Sequence, residues 1–191
     1  MKPLQYLFII APLALLSLSS CNERSCENTM CENGGICLDG TCDCPEGFAG
    51  VHCHDRIPPD VIRITSMSVT RFPRSNGNVM WDPEDGPDIF FRLLDKEIDI
   101  GQPDYLVEDA MTSKPYNFIF HFIDINHPAD TYKIQLLDYD GIDTKEDFMG
   151  EITFVPLDKS KDFPSTIILD DGGPIAFLMT VQYLYSNNGN R

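Results

Sequence analysis

The chain has 191 residues, room for one medium domain and a small one, and its 30 Asp and Glu against 14 Lys and Arg leave a formal charge of −16. That balance excludes the basic face that nucleic acid requires, and it opposes loose adsorption on anionic lipid unless bound cations invert the local sign. A hydrophobic content of 42 % supports a packed core and argues against wholesale disorder. The first element, "LQYLFIIAPLALLSL" over residues 4–18, follows Lys2 and is interrupted by Gln5, Pro12 and Ser17. It is short and broken for a membrane span, and it reads as a signal peptide over residues 1–20.

Leu18, Ser19, Ser20 and Cys21 come next. This run resembles the bacterial lipobox, which implies that Cys21 carries a thioether-linked diacylglycerol and becomes the first mature residue, with residues 21–25 as a lipidated tether. Each buried acyl methylene contributes about 0.8 kcal/mol, so two or three chains, palmitate among them, anchor a protein almost permanently. The implied place is a bacterial envelope, at the outer membrane or cell surface. The alternative is an ordinary secretory signal with Cys21 incidental, as in a secreted adhesion protein. Cysteine count agrees with lipidation. Cysteines stand at 21, 26, 31, 37, 42, 44 and 53 and nowhere later, so removing Cys21 leaves an even six in an exported chain.

Those six occupy residues 26–53 in the frame C-x4-C-x5-C-x4-C-x1-C-x8-C. So short a segment cannot bury a real core, so disulfides must supply its stability, although spacing alone leaves their pairing open. With "NGG" before the third cysteine and "CDCPEGFAGVHC" at the end, the segment resembles an EGF-like domain. The resemblance implies Cys26 with Cys37, Cys31 with Cys42, and Cys44 with Cys53, and a final hairpin carrying Gly47, Phe48 and Gly50. Arg24 and Ser25 replace the acidic and amide residues of the calcium-binding subclass, so the module reads as a spacer or contact surface. Zinc bound by these cysteines with His52 or His54 is the weaker alternative in an exported chain.

"HDRIPPD" over residues 54–60 is a short stiff linker. From 61 to 185 the texture is one of strands and turns. Candidates are "DIFFRLL" (88–94), "NFIFHF" (117–122), "KIQLL" (133–137), "EITFV" (151–155) and "IAFLMTVQYLY" (175–185), where Phe177, Met179, Val181 and Tyr183 share a face. Short strands without cysteines predict an antiparallel β-sandwich held by its own core. "SNNGNR" over 186–191 reads as a flexible tail.

Two acidic loops carry the chemistry. One is "WDPEDGPDIFF", with Asp82 and Asp88 six apart; the other is "DYDGIDTKEDFMG", from Asp138. Calcium takes about six to eight hard oxygen ligands, which two neighbouring loops can share. An EF-hand is excluded, because glycine stands fourth instead of sixth and the flanks are strand-like. The pattern resembles the C2 domain, a calcium-dependent membrane-targeting family. Its first loop matches Asp82 and Asp88, and its third matches Asp138, Asp140 and Asp147 before Phe148, Met149 and Gly150. "PYNFIFHF" stands where the family has an aromatic strand between those loops. The resemblance implies an eight-stranded antiparallel sandwich and a site for two calcium ions. The interval from Asp140 to Asp147 is one residue long for the family, which leaves Asp143 or a bulged Asp147 to complete the set.

Ile142 is the apolar loop tip that would touch a membrane. Yet nine acidic residues and Lys145 in the two loops sum to −8, and two calcium ions leave −4, which disfavours anionic headgroups. Calcium as organiser of contacts with protein, glycan or phospholipid is therefore the expectation, beside a membrane held through the lipid anchor. A structural or accessory subunit without functional calcium is the alternative. His121 and His127 adjoin no nucleophile motif, and no catalytic or phosphate-binding signature occurs, so an enzyme is not expected.

Overall fold

The computed structural model describes residues 26–82, 85–141, 145–158 and 163–186. The expected signal segment and Cys21 lie outside the described residues. The chain divides into two compact units, Met1–Arg56 and Ile57–Arg191. No helix among the described residues is long and apolar enough to cross a membrane.

In the first unit β1 (Ile36–Leu38) and β2 (Thr41–Asp43) form one antiparallel hairpin, and β3 (Phe48–Ala49) pairs with β4 (Asp55–Arg56) in another. The disulfides are Cys26–Cys37, Cys31–Cys42 and Cys44–Cys53. Among the described residues of this unit only Gly47 and Cys53 are buried, so covalent closure stands where a core would. Gly47 (φ 83°) and Gly50 (φ 89°) flank β3 in the left-handed region, where a Cβ is strained. The expected linker is shorter at its start, because Asp55 and Arg56 are spent on the last hairpin. The Arg56 guanidinium also lies 5.3 Å from the Phe48 ring centroid.

The second unit runs β5 (Val61–Arg71), β6 (Ser75–Asn76), β7 (Val79–Met80), β8 (Ile89–Asp95), β9 (Ile98–Gly101), β10 (Tyr116–Phe118), β11 (Ile123–Ile125), β12 (Tyr132–Asp138), β13 (Asp147–Phe154), β14 (Thr166–Leu169) and β15 (Ala176–Leu184). One sheet has the order β10-β5-β15-β14, with β11 also on β5; the other is β13-β12-β8-β9. All pairings are antiparallel. Because β10 and β11 lie along the same edge of β5, they are one broken strand, and among the described residues the sandwich has eight strands in two sheets of four. The pair β6–β7 is a separate small hairpin.

Alternation places Ile62, Ile64, Met67, Val69, Phe177 and Met179 of one sheet against Ile89, Phe91, Leu93, Ile134 and Leu136 of the other, all buried. Each such side chain contributes about 1.5–3 kcal/mol on leaving water. Phe91 meets Phe118 and Phe120 edge-on, at 5.1 and 5.4 Å between ring centroids. The Asp60 N–H donates to the Leu184 carbonyl (3.0 Å), and the Asp60 carboxylate accepts from the Ser186 amide and hydroxyl, both at 2.6 Å. Ser186 is thereby tied to the sandwich, and residues 187–191 of the expected tail lie outside the described residues.

Two departures from strict alternation shape this sheet. Opposite β15, Thr65 and Thr70 are each one residue in excess on β5. Each is a bulge whose hydroxyl donates across to β15, Thr65 to the Thr180 carbonyl and Thr70 to the Ala176 carbonyl, both at 3.2 Å. On the other side of β5 the expected continuous strand 117–122 stops at Phe118 and resumes at Ile123. Four residues there face only two of β5. That slack turns Ile119 and Phe122 to solvent while Phe120 stays against the core.

Candidate functional site

Three connections meet at one end of the sandwich: 81–88 leading into β8, 102–115 between β9 and β10, and 139–146 between β12 and β13. Trp81 anchors the first. It is buried, and its Nε1 donates to the Pro73 carbonyl at 3.0 Å. Asp88 immediately precedes β8, Asp138 ends β12, and Asp147 opens β13 opposite Asp138.

The roots of the first and last loops are cross-tied. The Asp88 N–H donates to Asp138 Oδ1 at 2.8 Å, and the Tyr139 N–H donates to the Asp88 carbonyl at 2.9 Å. Asp138 is fully buried, yet its Oδ2 has no hydrogen-bond partner. A carboxylate oxygen so placed carries an uncompensated desolvation cost, of order 1–3 kcal/mol or more for a charged group. A proton or a cation relieves it.

The expected acidic residues act on one another's charges. Burial, then the Asp82 charge, push the Asp138 carboxyl up to about 6, against the Asp88 N–H, with Asp140 and Asp88 adding to the rise. Asp82 is also raised, first by burial and then by Asp140, Asp85, Asp88 and Asp109. Asp140 is raised by burial, Asp147 and Asp88. Asp82, Asp88, Asp138, Asp140 and Asp147 therefore share one cluster. A bulge follows Asp147, since Leu136 pairs with Gly150 and Leu137 with Phe148, leaving Met149 unmatched. Asp143 and Ile142, and Glu84 of the first loop, lie outside the described residues. Glu146 turns to Arg92, whose Nη2 donates to its carboxylate at 3.3 Å.

Sequence reasoning misses two members, Asp85 and Asp109. Asp85 enters it only as loop charge. Asp109 comes from a connection with no strand pattern, and its one signal is a turn-favouring Asp between strand candidates. With Asp82 they line a cavity of about 520 Å³ that Arg74, Met80 and Met111 also border. Among the described residues no three Asp, Glu, His or Cys side chains converge as tightly as ligation of an ion requires. Carboxylates of like charge repel at these distances. The buried orphan oxygen and the hard-oxygen donor set nevertheless fit calcium in kind.

No family model matches the chain. Over 48 residues it is 42 % identical to the protocadherin-like wing polarity protein stan of Drosophila melanogaster, covering 22 % of this chain and 1 % of that protein. Over 34 residues it is 56 % identical to the EGF-like repeat and discoidin I-like domain-containing protein 3 of Mus musculus, covering 15 % and 7 %. The described part of the first unit, with its three disulfides, is similar to EGF-like modules. The chain spans only a few per cent of the length of these relatives, and three disulfides mark the module as matured outside the reducing cytosol. Beyond the EGF-like module, solved structures similar to the chain include "Structure of a C2 domain", at TM-score 0.42 and 13 % identity over 64 % of this chain and 97 % of that one. Another is a C2 domain-containing protein from a putative elicitor-responsive gene, at TM-score 0.42 and 16 % identity over 69 % and 95 %. Among the described residues the fold is all-β, a three-disulfide module with EGF-like relatives followed by an eight-stranded antiparallel sandwich.

Proposed function

We propose that the sandwich binds calcium between its Asp-rich loops and that the ion-bound end mediates contacts of an exported, surface-held protein with membrane, protein or glycan. The role is binding, not catalysis. One observation carries the reading: Asp138 is buried with Oδ2 unpartnered, amid Asp82, Asp88 and Asp140. Asp82, Asp88, Asp138, Asp140 and Asp147 would hold the ions, with Asp143 as the alternative to Asp147. Calcium would offset the mutual repulsion of these loops and fix them for a partner. A diacylglycerol on Cys21 would hold the chain at its membrane, with the EGF-like module between anchor and sandwich in sequence. Met80 and Met111 border the cavity beside the acidic cluster, and both are exposed. They would give a lipid-facing end its apolar contact.

Thermal unfolding in calcium and in chelator tests the reading. At a calcium concentration a hundred times the dissociation constant the sandwich should gain about 2.7 kcal/mol. Replacing Asp138→Asn together with Asp140→Asn should abolish that gain. A midpoint unmoved by millimolar calcium ends the proposal. Sedimentation with anionic and neutral liposomes, using chain without acyl groups, then separates a lipid partner from a protein or glycan.

A further inference from the structure

We propose that a second cavity, on the outer face of β8, takes the charged end of an arginine or lysine side chain from a basic polypeptide partner, with no metal involved. The cavity holds about 440 Å³ and is bordered by β8, the 102–108 segment and the last loop. Phe90, Tyr105 and Tyr139 supply its aromatic surfaces. Asp104, Glu108 and Glu146 supply carboxylates, against Arg92 as the one guanidinium among the described residues of the lining. Arg92 is already engaged, its Nε 3.5 Å from the Asp99 carboxylate and its Nη2 3.3 Å from that of Glu146. The lining therefore keeps two negative charges in excess, and a cleft lined by one sign of charge concentrates the opposite ion.

The frame that holds these groups is fixed by the fold. Alternation along β8 sends Phe91 into the core and leaves Phe90 and Arg92 on the outer face. Phe90 is 6 % exposed and forms the floor, whereas Tyr105 is 71 % exposed and stands at the rim. The Asp104 N–H donates to the Ile119 carbonyl at 2.7 Å, and Val107 and Ile89 exchange both backbone hydrogen bonds at 2.9 Å. Tyr105 and Leu106 are thus held between two tied points, which spares a ligand the cost of ordering that wall.

The lining also selects the occupant. A cation over an aromatic face is attracted by the ring quadrupole, and carboxylates at the ring edge add to that attraction. A phosphocholine headgroup would bring its own phosphate against these carboxylates, with Arg92 already taken. An arginine or lysine side chain carries its charge at the end of an apolar stem and has no anion attached. The stem suits the exposed ring of Tyr105, while the charged end reaches Asp104, Glu108 and Glu146. A net charge of −16 over the chain steers a basic segment toward it.

NMR titration of the full chain without acyl groups, in chelator, tests this with short blocked glycine peptides that carry a single arginine, lysine or glutamine. The arginine and lysine peptides should shift the ring signals of Tyr105 and Tyr139, and the glutamine peptide should shift neither. Tyr105→Ala should weaken the arginine peptide roughly 5- to 30-fold, the loss expected of one cation–π contact, and Glu108→Gln should weaken it by a similar factor. Asp130→Asn removes an equal charge before the far end of β12 and should leave the affinity unchanged. If it weakens the peptide as much as Glu108→Gln, the attraction is that of the whole chain and the inference falls. Equal shifts from the glutamine peptide, or from a neutral disaccharide, also overturn it. Ring shifts produced by phosphatidylcholine vesicles but not by the arginine peptide would give the cavity to a lipid headgroup and overturn it too. Because chelator is present throughout, a negative result here leaves the calcium reading standing, and loss of the calcium reading leaves this cavity untouched.

Discussion

From Cys26 to Arg56 three disulfides close segments of 11, 11 and 9 residues around almost no interior, with Gly47 and Cys53 the only buried positions. From Ile57 onward there is no cysteine, and two sheets bury Ile, Phe, Met and Leu side chains against one another. One unit limits its unfolded chain by covalent closure; the other gains from apolar surface leaving water. Two independent sources of stability in one chain should fail under different insults.

Reduction gives the largest expected effect. Dithiothreitol should unfold the EGF-like module outright, each native disulfide being worth about 2–5 kcal/mol in a small module. Amide exchange in the sandwich should be untouched. Loss of protection in β8 or β15 on reduction would show that the two units are not energetically separate. The converse change is Phe91→Ala, which should cost the sandwich about 3–5 kcal/mol in denaturant unfolding. It should leave the disulfide pairing, read by peptide mapping, unchanged.

A smaller effect concerns pH at the acidic end. The Asp138 carboxyl is raised from 3.8 to about 6 in the folded chain, so folding favours its protonated form. Without calcium, the contribution of Asp138 to stability should therefore be fully present below about pH 4 and decline as pH rises from about 4 to 6. Saturating calcium should remove that decline, and Asp138→Asn should flatten it in chelator. The smallest effect has the opposite sign. Arg71 donates to both oxygens of Asp170, at 2.8 and 2.5 Å, and with the Gly172 N–H holds that carboxyl down to about 2. The pair lies at the surface, so its contribution is slight and screened by salt. It should vanish as pH falls from about 4 to 2, and Arg71→Ala should show no loss across that window.

How legible these features are depends on how local they are. The strands β8, β12 and β15 keep enough alternation to be placed within a residue or so, and the five matched Asp residues lie at the same end of the sandwich, although no three described acidic side chains converge tightly. By contrast β5, the longest strand, is not delimited by its pattern. Ile62 and Ile64 point inward, and so do Met67 and Val69, but the excess residue Thr65 shifts the parity between the two pairs. A period-two reading fails across such a bulge. The break after Phe118 is hidden for a related reason: "NFIFHF" alternates well, and only the geometry of its partner shows two residues too many. The place of Asp109 in the cavity wall is hard to read from sequence, because it comes from a connection folding back on Gly86 and Pro87, a meeting that no spacing encodes.

The pairing of β5 with β15 has a consequence in time. These two strands stand side by side in the interior of their sheet, yet Thr70 and the Ala176 carbonyl it contacts are 106 residues apart in the chain. Contacts of such long range close slowly, and the first strand made waits for the last. Until Leu184 is available, β5 has an open flank and β14 has no partner at all. A chain with this topology passes through synthesis as an unfinished sheet, while its short-range disulfide module can close long before. The order of completion therefore runs from the covalent unit to the packed one, and the acidic end, whose loops are rooted in β8 and β12, matures with the latter.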